Sequence, residues 1–436
     1  MVTAFQLNEE MRLFGGVWLY QRLGCLKQNK VRPCECDRDP SHNHFTPHPS
    51  SHTTYKLLLE DDKRSRSSSS SSNTSDESVS SIFIMNRAFV DVVNRFGIQL
   101  QSLTLDPDKS TGICPTNIYH CLSMVAAGSK DENLAAFGQT LSFDVDALNE
   151  TLQKTVKVDT YCKTNSAVDF STASSVWHPK DFILEKAWLE RMQTTFNTTI
   201  GPLELQPIND FIFRETKGKF KNLIQSGDLA GTVLMLITCL YFKAKWQNPF
   251  DKMRTVRKGE FHTFDGKVQP CAMMTKVERM EYVEDEVMQA CFLPYQIDGN
   301  GPQWKAAVIL PKQDGIDAIR GILTKFSERP QVLTKLLTGT GPAAPSSSSS
   351  PTGKTSMAAS RTHKINLSLP RFSVQVHLDL KPALINLGLG PAFKPSDDFA
   401  PISTGPLMIS RVTHDLFLEI NEEGTEMAAV TVVAMR

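Results

Sequence analysis

The sequence has no excess of charge of either sign: lysine plus arginine and aspartate plus glutamate each total 47 in 436 residues. A balanced chain sets up no long-range field toward nucleic acid or an acidic bilayer, and neither is expected as a partner. No apolar run approaches the roughly 18 residues of a membrane-spanning helix, so a protein free of the membrane is expected. Neither a G-x-S-x-G elbow nor a zinc-protease helix signature occurs, no triad can be nominated, and the chain is not expected to be an enzyme. The nearest thing to a phosphate loop is GKT at 353 to 355, where the glycine required five positions earlier is Ser348 and no strand precedes it. No cofactor is expected. The nine cysteines are odd in number, and several stand in apolar segments such as LMLITCLYF, which reads as buried thiols rather than a disulfide framework.

What is there begins with 40% hydrophobic residues, enough in a chain of this length for a large core. Arg12 and the following LFGGVWLY (13 to 20) have the outline of a signal peptide. They start behind an internal methionine, however, are short, and have no small-x-small cleavage site close behind. A cytoplasmic location is therefore favoured. RSRSSSSSSNTSDESVSS (64 to 81) and GTGPAAPSSSSSPTGKTSMAAS (339 to 360) lack apolar periodicity and are expected to be disordered. They divide the chain into a Ser- and His-rich arm (1–85), expected to add nothing to stability, and a body (86–436) with a low-complexity insertion at 339–363. The arm carries Cys34, Cys36, His42, His44, His48 and His52, but these spacings match no common zinc knuckle, and no metal site is assigned.

The body reads as α+β. MNRAFVDVVNRFGIQL (85 to 100) spaces Phe89, Val92, Val93, Phe96 and Ile98 at helical intervals. A buried helix is expected to end at Gly128 in a left-handed cap, and another to start at Asp131. Strands are expected at STASSVW (171 to 177), TVLMLITCLYFKAKW (232 to 246), AAVILP (306 to 311) and INLSLPRFSVQV (365 to 376). TVLMLITCLYF is apolar on both faces, so it should be a central strand covered on both sides.

An ordered set of segments resembles one family. CPTNIYHCLSMVAAGS (114 to 129), INDFIFRETKGKFKNLI (208 to 224), LYFKAKWQNPFD (240 to 251), MM (273 to 274), LPY (293 to 295), LPRF (369 to 372) and NEEGTE (421 to 426) are similar to serpin motifs and fall in the serpin order. On these the chain is identified as a member of the serpin superfamily, of the intracellular, ovalbumin-like type. The resemblance implies three β-sheets with about eight or nine helices. It implies serine proteases as partners, cysteine proteases as a second class, and extracellular space as an alternative location.

The tail, EINEEGTEMAAVTVVAMR (419 to 436), is where that resemblance meets the residues. From Thr425, alternate residues Thr425, Met427, Ala429, Thr431 and Val433 point to one face, and Glu426, Ala428, Val430, Val432 and Ala434 to the other. The first face has no charge, so the segment can be buried between existing strands. The resemblance makes Glu422, Glu423, Gly424, Thr425, Glu426, Met427, Ala428 and Ala429 the hinge of a reactive loop. A protease would cleave that loop, and it would then enter the main sheet with the acyl-enzyme attached. Cys114, Asn117, Thr238, Trp246 and His414 occupy the family's sheet-opening region, where inhibitory members more often have serines and an asparagine. The family continues past residue 436 to its scissile bond and further strands, so the chain is expected to be truncated within the loop. A shorter loop would make Arg436 the reactive-site residue. The alternative functions are a non-inhibitory binding or storage protein and an inactive truncated serpin, with oligomers formed by strand exchange between copies.

Overall fold

The computed structural model describes residues 2–6, 18–20, 87–144, 167–262, 268–298, 304–329, 332, 333, 336 and 361–436. The serine-rich stretch 64–81, the insertion up to residue 360 and the Cys34–His52 group lie outside the described residues. In chain order the strands are β1 (Val2–Gln6), β2 (Trp18–Tyr20), β3 (Thr111–Ile113), β4 (Val168–His178), β5 (Thr199–Pro202), β6 (Leu234–Lys245), β7 (Val256–His262), β8 (Val268–Glu284), β9 (Met288–Pro294), β10 (Lys305–Pro311), β11 (Arg361–Pro370), β12 (Phe372–Asp379), β13 (Ile409–Ile420) and β14 (Gly424–Met435). The longer helices are α1 (Arg87–Thr104), α2 (Pro115–Ala126), α3 (Asp131–Leu141), α4 (Lys186–Phe196), α5 (Leu205–Glu215) and α6 (Ile316–Glu328).

The apolar stripe of α1 buries Phe89, Val93, Phe96 and Ile98. Helix α2 is apolar nearly all round because it is enclosed nearly all round: of its residues only Thr116 is not buried. The left-handed cap expected at Gly128 is absent, since Ala127 ends the helix in the right-handed region. Gly128 is needed for room instead: a Cβ there would lie 2.2 Å from Cγ1 of Ile402 and 2.7 Å from Nε1 of Trp188.

One sheet has the order β12-β13-β14-β6-β4-β5, antiparallel except for the parallel β4–β5 pair. The doubly apolar β6 is central, as expected. It pairs with β14 over twelve residues and with β4 on its other edge, and is buried from Leu234 to Phe242. The second sheet has eight strands in the order β11-β8-β9-β10-β1-β2-β3, with β7 also on β8. The 17-residue β8 is long enough to pair with β7 and β11 along one part and β9 along another, so the described strands form two sheets where the resemblance implies three. INLSLPRFSVQV, read as one strand, is two. Pro370 ends β11 in the eight-stranded sheet, and after Arg371 the chain enters the six-stranded sheet as β12.

The arm is a further departure from expectation. Val2–Gln6 pairs with β10, and Trp18–Tyr20 of the signal-like stretch pairs with β1 and β3. Short strands whose partners lie far along the chain carry no local periodicity by which to find them. The edge of β10 is therefore covered by the chain's own amino terminus.

The Gly128 contact generates a test. Gly128→Ala would push a methyl into Ile402 and Trp188, both buried. The expected loss is about 1–3 kcal/mol of unfolding free energy, read from urea denaturation. An unchanged midpoint would show that the two side chains can move aside at no cost.

Candidate functional site

The site is the segment from Asn421 to Arg436. Asn421 makes the turn that folds β14 back on β13. Its Oδ1 accepts the N–H groups of Glu423 at 2.9 Å and Gly424 at 3.1 Å, and its own N–H donates to the Gly424 carbonyl at 3.1 Å. From the end of β6, Trp246 donates its backbone N–H to the Glu423 carbonyl and Nε1 to the Asn421 carbonyl, each at 2.9 Å. Its ring stacks on Tyr295 at 4.7 Å. Glu422 is buried, accepting from the Thr255 hydroxyl at 2.8 Å with the Arg371 guanidinium 3.6 Å away. Glu423 points outward to Lys252 at 2.6 Å. At Gly424, placed in the hinge by the resemblance, the structure gives a steric reason for glycine. A Cβ there would lie 2.0 Å from the Ala244 carbonyl oxygen, so no other residue fits this close pass against β6.

Beyond the turn the two faces separate as the alternation predicts. Met427, Ala429, Val433 and Met435 join the main core. Ala428, Val430, Val432 and Ala434 join a second cluster with Ile208, Phe211 and Ile212 of α5. The first polar residue on each face has its own partner. Thr425 accepts a hydrogen bond from the Tyr295 hydroxyl at 2.8 Å, and burial drives that phenol far above its ordinary ionisation range. Glu426 is the charge on the second face. The Tyr241 hydroxyl donates to its Oε1 at 2.7 Å, and Lys219 and Lys243 lie 2.9 and 3.5 Å from its Oε2. Burial opposes ionisation of this carboxyl, but the Tyr241 and Lys219 bonds outweigh it and hold it below the usual carboxylate range.

Of the five sheet-opening residues named from the sequence, four converge on Thr431. Thr238, Thr431 and His414 stand side by side on β6, β14 and β13. The Thr431 hydroxyl donates to Asn117 Oδ1 at 2.6 Å, and Thr238 donates to the Asn117 carbonyl at 3.0 Å. Because the Thr431 proton is committed to Asn117, His414 Nδ1 at 2.9 Å must be the donor to Thr431. His414 Nε2 is then free to accept the Cys114 N–H at 3.0 Å. Every ring nitrogen is satisfied only in the neutral form, and burial, followed by the nearby His377, pushes the imidazole down to about 3. Trp246 is the exception. It sits at the hinge end, about 26 Å along the strand from Thr431.

Arg436 closes the far end of the sheet. Its backbone pairs with Met408 in both directions at 3.0 Å, and its guanidinium donates to the Ala230 carbonyl at 3.2 Å. Sequence reasoning missed Tyr295, Tyr241 and Lys219 as hinge partners. All three stand in quoted motifs, Lys219 in INDFIFRETKGKFKNLI, Tyr241 in LYFKAKWQNPFD and Tyr295 in LPY, but nothing local ties any of them to Glu426 or Thr425. No cluster of metal-ligating residues occurs among the described residues.

The family model described as Serpin (serine protease inhibitor) matches residues 91–436. Iripin-2 of Ixodes ricinus is similar at 26% identity over 362 residues, 78% of this chain and 82% of its own length. Reaction-loop-cleaved lamprey angiotensinogen superposes with a TM-score of 0.65 at 21% identity, covering 80% of this chain and 98% of that one. Thyroxine-binding globulin, complexed with a thyroxine–fluorescein conjugate, superposes with a TM-score of 0.64 at 20% identity over 79% of this chain and 98% of that one.

Two tests follow from this geometry. The His414 imidazole is neutral in folded and unfolded chains above about pH 6.5; below that the unfolded chain takes up a proton which the folded one refuses until about pH 3. Stability should therefore fall on acidification, by up to ~1.4 kcal/mol per pH unit from this residue. Urea unfolding between pH 7 and 4 should show a shallower decline for His414→Gln than for the parent; equal slopes would mean that folded His414 accepts the proton. In the second test, Tyr241→Phe and Lys219→Met should each lower stability by about 1 kcal/mol, and by much less in a Glu426→Thr background. Equal losses in both backgrounds would disconnect these side chains from Glu426.

Proposed function

The chain belongs to the serpin family of serine protease inhibitors, and on that premise we propose that it inhibits serine proteases by inserting Gly424–Met435 into its main sheet. The observation that carries this reading is the two-sided pairing of β14, eleven residues against β13 and twelve against β6, with both faces covered. A segment suited to that position gains a ladder on each edge when it enters. At about 1 kcal/mol net per backbone hydrogen bond, such a gain is on the order of ten kcal/mol or more before apolar burial is counted. That is ample to drive a conformational change coupled to cleavage of a loop. In this conformation the segment occupies the sheet, the position in which the proposed insertion would leave it.

Hinge chemistry sets the order of events. The turn at Asn421–Gly424 is the pivot, Thr425 is the first side chain to enter the core side, and Glu426 is the first to enter the opposite side. Tyr295 supplies a donor for one, and Tyr241 with Lys219 supplies donors for the other. Entry of a charge on the core side has no such provision. Met427, where the family more often has alanine, is accommodated in the core at 3% exposure.

The competing reading is a serpin-fold binding protein, of which thyroxine-binding globulin is a neighbour in fold. Both are tested on the chain extended beyond Arg436 by a segment carrying a protease-cleavable bond, folded with Gly424–Arg436 outside the sheet. The expected result is an SDS-resistant complex with a trypsin-like, chymotrypsin-like or elastase-like protease. Thr425→Arg, which buries a guanidinium beside Tyr295 at a cost of several kcal/mol, should be cleaved without trapping. Simple cleavage of the parent would favour the binding protein, and equal trapping by parent and variant would remove the insertion step.

A further inference from the structure

Beside the hinge lies a cavity whose polar groups are mostly unused by the insertion of β14. Its volume is about 300 Å³, at the lower end for ligand pockets. One wall is the segment that follows α5, from Lys219 to Leu223, and the floor is Gln375 and His377 of β12 with Asp415 of β13. Gln375 stands opposite Phe417 and His377 opposite Asp415, and Phe417 packs in the cluster of α5, so these side chains share the face that α5 covers. The wall is fixed by its own hydrogen bonds. Asn209 of α5 donates Nδ2 to the Ile224 carbonyl and accepts the Ile224 N–H on Oδ1, each at 2.9 Å. The Thr216 hydroxyl accepts the Phe220 N–H at 3.3 Å, and Gln225 Nε2 donates to the Asn222 carbonyl at 2.6 Å. Asn222 itself is left-handed, with φ 52°, a conformation that asparagine tolerates. A wall held in this way presents its side chains at little further cost in ordering.

The polar groups around the cavity fall into two sets. Lys219 is committed to Glu426 at 2.9 Å and lies over the Phe417 ring at 4.5 Å. Asp415 is buried and committed to His377 Nδ1 at 2.8 Å. With that carboxylate ionised and able only to accept, the ring proton sits on Nδ1 and Nε2 remains an acceptor. Lys221, Asn222 and Gln375 are exposed, and their side chains have no partner among the described residues. What is uncommitted is therefore one ammonium, two amide donors and one acceptor, with an excess of positive charge. That set fits a tetrahedral oxyanion carrying a proton of its own. We propose that the cavity binds the phosphate of a small phosphate monoester. Lys221 supplies charge, Asn222 and Gln375 donate to its oxygens, and His377 Nε2 accepts its O–H. The bound ester would tie β12, an edge strand among the described residues, to the segment after α5. The site rests on these residues and not on cleavage of a loop, so it stands whether or not the protein traps proteases.

The probes are phenyl phosphate and benzoate, titrated into the 436-residue chain at constant ionic strength and followed by calorimetry and by the amide resonances of isotopically labelled protein. Phenyl phosphate is expected to saturate and to shift amides at 219–223 and 375–377, with benzoate at least about tenfold weaker. Lys221→Gln, at an exposed position, should weaken phenyl phosphate about tenfold or more. Lys258→Gln, at an exposed position on β7, should leave its affinity unchanged. Absence of saturation, shifts confined to other segments, or equal affinity in the parent and Lys221→Gln would overturn the proposal. So would an equal loss in Lys258→Gln, the mark of general charge attraction, or benzoate binding as tightly as phenyl phosphate.

Discussion

A strand in the middle of a sheet must satisfy its backbone on two edges and bury side chains on two faces, and β14 does all four. Among the described residues it is the sole connection between β12–β13 on one side and β6–β4–β5 on the other. The main core and the cluster beneath α5 are both built on its alternation. The six-stranded sheet is thus held as one body by twelve residues. Their near-total lack of charge is the condition for that, since an unpaired charge on either face would oppose burial by several kcal/mol.

The polar atoms along β14 show how the exceptions are managed. Glu426, Thr425 and Thr431 each meet partners from elements remote in sequence. At Thr431 the chain of donors runs in one direction, from the Cys114 amide to His414, from His414 to Thr431, and from Thr431 to Asn117. A chain of this kind works with one protonation state. Asn117 and Thr238 therefore belong to one connected network with Thr431 and His414, which Cys114 joins through its backbone N–H.

The alternating tail, the doubly apolar β6 and the amphipathic α1 were legible because each is a local pattern set by a period. The family motifs added the order of the elements and the position of the hinge. The break at Pro370 was visible as a residue but not as a change of sheet, because a proline marks where pairing stops and not where it resumes. Sequence reasoning gives Gly128 a left-handed cap and Gly424 a place in the hinge, whereas both are explained by atoms within 3 Å of an absent Cβ, a constraint that belongs to the neighbours. Family grounds group Trp246 with His414, yet it lies at the other end of the strand. The strands of the amino terminus were not legible: three and five residues are too few to show a period, and their partners are more than ninety and about three hundred residues away.

Arg371 is the single residue between β11 and β12, and so the single covalent step between the two sheets on that side. Its N–H is anchored to the Ala272 carbonyl at 2.8 Å, and its guanidinium lies 3.6 Å from Glu422 at the turn. There is no slack in such a joint. β11 is clamped to β8 over ten residue pairs and β12 to β13 over eight. A lateral displacement of β12 and β13 would therefore arrive in β8 as a pull along β11. The joint is a mechanical linkage: a load on β12 would be passed to the other sheet through β11, and strain on the exposed side of β8 would be felt at the turn that precedes β14.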